Sequence, residues 1–154
     1  MERLVHILVA FRQYLKQYHW LANSYEDHLL AERLIEEMSE SLDDSIDRLV
    51  ELALGAGVHH EVAGAVIGLK GALLELEGLG TSEELKSTEN SVVLNNIAKF
   101  ISLYLKTADE VSKGYEGTIL KSGIDNAIFS ISEDMIRRAY LVGIQLEKSI
   151  KNKN

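Results

Sequence analysis

Two histidines bracket the stretch YHWLANSYEDH at residues 18 to 28, in a chain that carries only five histidines in 154 residues. His19 and His28 flank a short polar break between two long amphipathic stretches. Glu32 lies one helical turn beyond His28, and four-residue spacing puts both side chains on one helix face. Asp43 and Asp47 repeat that spacing further on. Imidazole and carboxylate together make a donor set for iron, manganese or zinc.

Alone, each feature has a plainer explanation. A His-Trp pair at a helix end serves packing or capping, and EEMSESLDDSID reads as a solvated acidic face. The pattern as a whole says more. His28 and Asp43 are fifteen residues apart, which on one helix is about 22 Å. The pairs 28/47 and 32/43 share one midpoint, between residues 37 and 38. Two copies of this helix packed antiparallel about a dyad there would set His28 against Asp47 and Glu32 against Asp43. Two-fold symmetry would then make two identical sites, with His19 completing each.

The elements that must position these groups are helical. There is no proline and no cysteine, and the glycines concentrate after residue 54, so helix breakers are rare and disulfide or thiolate chemistry is excluded. Leu4, Leu8, Phe11, Leu15 and Tyr18 mark one face of a first helix over 2–21. Leu30, Leu34, Met38, Leu42, Ile46, Leu49 and Ala53 extend a second from Tyr25 to Leu54, ended by the GAG at 55–57. A third is predicted over 91–113, with Val93, Ile97, Phe100, Ile101, Tyr104 and Ala108 inward. A fourth is predicted over 124–148, with Ile128, Ile131, Met135, Tyr140 and Ile144 among its apolar positions.

Between the second and third helices runs VHHEVAGAVIGLKGALLELEGLGTSEELKSTEN. Gly64, Gly68 and Gly71 suit a short, closely packed helix, and GLGTSEELKS reads as loop. A connection of this length suits a chain crossing back along a bundle. The whole reads as one all-α domain over 1–154, a ferritin-like four-helix bundle with a long, partly helical crossover between helices 2 and 3.

LKQYHW, the histidine at 28 and LDDSIDR at 42–48 resemble the signature of the Dps-like mini-ferritins. GIDNAIFSISEDMIRRAYLVGIQLE is similar to that family's last helix, with Tyr140 where Trp is common. The resemblance implies a ferroxidase. His19 and His28 of one subunit, with Asp43 and Asp47 of its two-fold neighbour, would bind iron, Glu32 would assist a second iron in a di-iron site, and Trp20 would stand beside it. It implies Fe(II) oxidation by peroxide or oxygen, ferric storage in a dodecameric shell, and protection against oxidative stress. The sequence departs from the family in a loop three residues shorter between the histidines and in Asp47 for the usual Glu.

The net charge is −8, with scattered basic residues and a short KSIKNKN tail, so DNA binding is not expected. VAGAVIGL, the longest apolar run, is far below the roughly 20 residues of a membrane span. With no secretory leader in view, a soluble, cytoplasmic protein is expected. His59 and His60 point different ways on a helix and suit helix-end solvation. Glu-x-x-His is absent at every histidine, against a di-iron centre within one bundle. The reading from another class is a non-catalytic helical bundle with a structural or interaction role.

Overall fold

In the computed structural model the chain is all-α, and the described residues are 1–57 and 70–153. Among these are seven helices and no strand: α1 (Glu2–Leu21), α2 (Tyr25–Glu36), α3 (Leu42–Gly55), α4 (Lys70–Leu79), α5 (Ser82–Lys86), α6 (Asn90–Gly114) and α7 (Lys121–Lys153). None of them is long and apolar enough to cross a membrane. His59, His60, Gly64 and Gly68 lie outside the described residues.

The direction of each helix follows from its cross-contacts. Phe11 stacks on Phe100 with centroids 5.3 Å apart, and the Tyr18 hydroxyl donates to Asn90 at 3.1 Å, so α6 descends as α1 rises. Arg138 Nε donates to the Leu34 carbonyl at 2.7 Å, and Gln145 donates to Glu26 at 3.2 Å, so α7 runs antiparallel to α2. α3 therefore ends at the opposite end of the molecule from where α6 begins, and the chain between them must travel its length. α4 pairs with the start of α1 through Arg3–Glu75 (2.9 Å), and α5 sits near its end, where Gln17 donates to the Leu85 carbonyl at 2.8 Å.

The expected stripes of α1 and α6 are buried throughout. On α7 the inward line is Ile124, Ile128, Ile131, Met135, Arg138 and Val142, at steps of four and three. Tyr140, expected on the apolar face, is 70% exposed, because the inward phase runs through Arg138 instead. Residues 82–86, expected as loop, are helical, since Thr81 and Glu84 close a reciprocal capping box. Gly71 lets α4 press on α1: a Cβ there would overlap the His6 ring.

The larger correction concerns the second helix. It is not continuous from 25 to 54: residues 37–41 are non-helical and divide it into α2 and α3. The apolar spacing runs through this break unchanged, which is why periodicity alone reads one helix. Buried polar groups on α7 decide otherwise. Asp134, 1% exposed, accepts from Ser39 Oγ at 2.6 Å and from the Glu40 N–H at 3.1 Å. Arg138, fully buried, donates to the Leu34 carbonyl in the last turn of α2 and, at 3.5 Å, to the Glu40 carbonyl. Ser41 then caps α3 by accepting the Asp44 N–H at 3.1 Å. A carboxylate thus faces the start of α3 and a guanidinium the end of α2, each matching the helix dipole it meets.

Asp134→Ala should lower stability by about 2–4 kcal/mol, because it strips partners from Ser39 and Glu40 and leaves the buried Arg138 charge less balanced. Urea unfolding of this variant, beside Glu133→Ala on the exposed face of the same turn, checks it.

A pH dependence also follows. Burial raises the Tyr14, Tyr18 and Tyr104 phenols above their ordinary value of 10.0. The folded chain keeps protons that the unfolded chain releases, so this stability is complete below pH 10 and is lost as pH climbs beyond it. Arg138, brought down to about 10 by burial, acts with the opposite sign in the same window, one group against three. Stability should fall on alkaline titration, the tyrosinate absorbance of these three rising together with the loss of helical circular dichroism.

Candidate metal centre

The short turn after α1 builds the site. α1 ends at Leu21, and only Ala22, Asn23 and Ser24 separate it from α2. Ser24 is extended (φ −137°, ψ 158°), and its Oγ accepts the Asp27 N–H at 3.1 Å. Glu26 and Asp27 occupy the first turn, where acids suit the positive end of the helix dipole. Asn23 ties the turn to the chain ahead of α6, donating to the Thr88 carbonyl at 3.3 Å.

So tight a reversal brings the last turn of α1 against the first turn of α2. The His19 and His28 rings stack with centroids 3.9 Å apart and planes inclined by 29°. His28 Nδ1 lies 3.1 Å from the His19 carbonyl oxygen. A carbonyl only accepts, so Nδ1 carries the proton and Nε2 keeps its lone pair for a ligand bond. The same bond satisfies one of the carbonyls that the end of α1 leaves open. Metal-binding histidines are commonly oriented in this way through their second nitrogen.

Glu32 completes the group. One ligand atom from each of His19, His28 and Glu32 lies within 4.8 Å of the other two. Bonds of about 2.0–2.2 Å to a divalent ion put neighbouring donors about 3 Å apart, so modest side-chain rotations would gather all three. Among the described residues Glu32 makes no hydrogen bond and no ion pair, so its carboxylate is uncommitted. Two imidazoles, one with its tautomer set by the backbone, and a free carboxylate fit a divalent first-row ion.

The surroundings are partly apolar. Trp20 (67% exposed) and Tyr25 (76%) flank the turn, with Leu21 and Leu29 also exposed. On the far side of α2, Gln145 and then Lys148 bond Glu26 and lower its carboxyl below the usual range.

The structure separates the remaining expected ligands from this group. Asp43 and Asp47 are on α3, beyond the break, and both are exposed. Asp43 is ion-paired with Arg12 of the same chain. Arg12 lies seven residues before His19 on α1, about 10 Å along its axis. With residues 37–41 non-helical, the shared midpoint no longer defines a register between two continuous helices. The backbone carbonyl of His19 is the one contributor that residue types and spacing could not indicate.

A second polar cluster joins α6 to α7. Ser112 Oγ donates to Asp125 at 2.6 Å, and Lys121 Nζ lies 2.8 Å from Ser112 Oγ. Burial pulls the Lys121 ammonium down, but hydrogen bonds to Glu116 and Asp125 outweigh it and leave its pKa raised. A protonated lysine cannot take the serine proton. The cluster instead closes the end of α6, Lys121 donating to the Ser112 carbonyl at 2.9 Å.

Ser24→Ala should cost about 1 kcal/mol as a lost N-cap and, by loosening the turn that seats His28, weaken metal binding roughly tenfold. Thermal unfolding and a Co(II) titration of the same variant read the two effects. Compared with known families, characterised proteins and solved structures, the chain finds no matching family model, no matching characterised protein and no matching solved structure.

Proposed function

We propose that the chain is a Dps-like mini-ferritin, a ferritin-like four-helix bundle that binds Fe(II), oxidises it and stores the ferric product. The observation that carries this reading is the convergence of His19, His28 and Glu32 across the turn between α1 and α2. The helix directions lend support: two antiparallel pairs joined by one long crossover are the pattern of ferritin-like bundles.

In this reading Fe(II) is the substrate. His19, His28 and Glu32 hold it, and Asp43 and Asp47 of a second copy bring further carboxylates that serve a second iron. Carboxylate oxygens are hard donors and favour the more highly charged ferric product. With hydrogen peroxide as oxidant, two Fe(II) each give one electron, the O–O bond breaks, and with two protons the two oxygens leave as water. The chain's net charge of −8 draws cations inward and disfavours a polyanionic partner. A shell of many copies, twelve in the family it resembles, would store the product, and manganese or zinc would suit the same donors.

The test is an anaerobic Fe(II) titration followed by a stoichiometric pulse of hydrogen peroxide, read in the near-ultraviolet. Rapid oxidation is expected in the parent chain and should fall at least about a hundredfold, towards the buffer rate, in the His19→Ala/His28→Ala double variant, with helical content retained. Equal rates in the two proteins would overturn the assignment. Oxidation at the buffer rate in the parent chain would leave a helical bundle acting through its surfaces alone.

A further inference from the structure

We infer that a single chain captures its divalent cation unaided, through His19, His28 and Glu32, before any second copy contributes a ligand. This rests on the metal-binding reading of the same site and specifies the order in which that site is built.

Three observations carry it. The donors come from one chain and one local structure: a three-residue turn, the Ser24 cap and the bond from His28 Nδ1 to the His19 carbonyl seat them within 4.8 Å of each other. Nothing in that arrangement depends on a neighbour. Secondly, the carboxylates differ in commitment. Glu32 and Asp47 have no polar partner among the described residues, whereas Asp43 is engaged by Arg12 of its own chain. For Asp43 to reach an ion on another copy, that ion pair must first be exchanged.

Thirdly, the break at 37–41 lies between the two ligand groups. Asp43 and Asp47 ride on α3, seated separately from α2 by the Ser41 cap and the Asp134 contacts. They are placed through α1 and α7 and not by a continuous helix running from the turn that holds the histidines. Two imidazoles and one carboxylate are a sufficient protein set for an Fe(II) or Zn(II) ion and leave the other positions open to water or a later ligand. Capture is therefore a property of the chain, and the partner's carboxylates enter at the oxidation stage.

Trp20 supplies the readout, being the chain's only tryptophan, next to His19 and 67% exposed. Co(II) titrated into the full chain should quench its fluorescence and saturate at one ion per chain, with sizing by sedimentation run in parallel. The dissociation constant should stay within about threefold as protein concentration is raised through any association of copies. Glu32→Gln should weaken binding roughly a hundredfold. The Asp43→Asn/Asp47→Asn double variant should still take up one Co(II) per chain with its constant shifted less than about threefold, yet oxidise Fe(II) at least about tenfold more slowly.

Saturation at one ion per two chains, tightening that tracks association, or loss of Co(II) binding in the Asp43/Asp47 double variant would overturn the inference. Each would leave the ferroxidase reading intact if oxidation still required His19 and His28. Normal Co(II) capture without Fe(II) oxidation would instead remove the activity and keep the site. Failure of the parent chain to bind Co(II) would remove both.

Discussion

Asp134 and Arg138, one helical turn apart on α7, hold the contact on which the rest of the molecule depends. Two buried charged side chains are costly unless polar groups meet them. Here the neighbours are the ends of two helices. The carboxylate takes Ser39 Oγ and the Glu40 N–H, and the guanidinium takes the Leu34 carbonyl. Remove the break and Asp134 keeps only Arg137, its neighbour on α7 at 3.1 Å, while Arg138 loses the helix end it faces; remove them and the break loses its ties to α7. The two features stabilise each other, and together they set α2 and α3 as separate bodies along α1.

That division reaches the candidate site. α2 is free to seat against the end of α1 on its own terms, with Ser24 as its cap and the His19 carbonyl as anchor for His28. α3 is seated elsewhere, by Ser41 and by the Arg12–Asp43 pair. The acidic residues of α3 are thereby a separate surface and not an extension of the histidine group. A single rigid helix would have coupled the two sets of ligands through its axis. Two capped helices leave the coupling to α1 and α7, through Arg12–Asp43 and the Asp134 and Arg138 contacts.

Much of this was legible in the residues. The stripe of Leu4, Leu8, Phe11, Leu15 and Tyr18 marks α1, and Val93 to Ala108 marks α6, because burial on one face imposes its own period. His19, His28 and Glu32 could be grouped because a short turn brings helix ends together and four-residue spacing shares a face. The break was not legible from periodicity, since Leu34, Met38 and Leu42 keep the helical step across it. Its local signal was Ser41 with Asp44 three residues on, a capping pattern submerged in an acidic run. Arg138 on the inward line of α7 was missed because a charge is read as exposed until its partners are known.

The sequence by itself determined an all-helical chain, the turn that ends α1 and the residue types able to bind a cation, since these follow from local periodicity, capping and donor chemistry. Only the tertiary structure decided that the second helix is two, that Arg138 faces inward where Tyr140 was expected, and that Asp43 is held by Arg12. Each of those outcomes depends on side chains from α1 or α7 meeting residues distant in sequence. No local pattern encodes which buried charge will find which helix end.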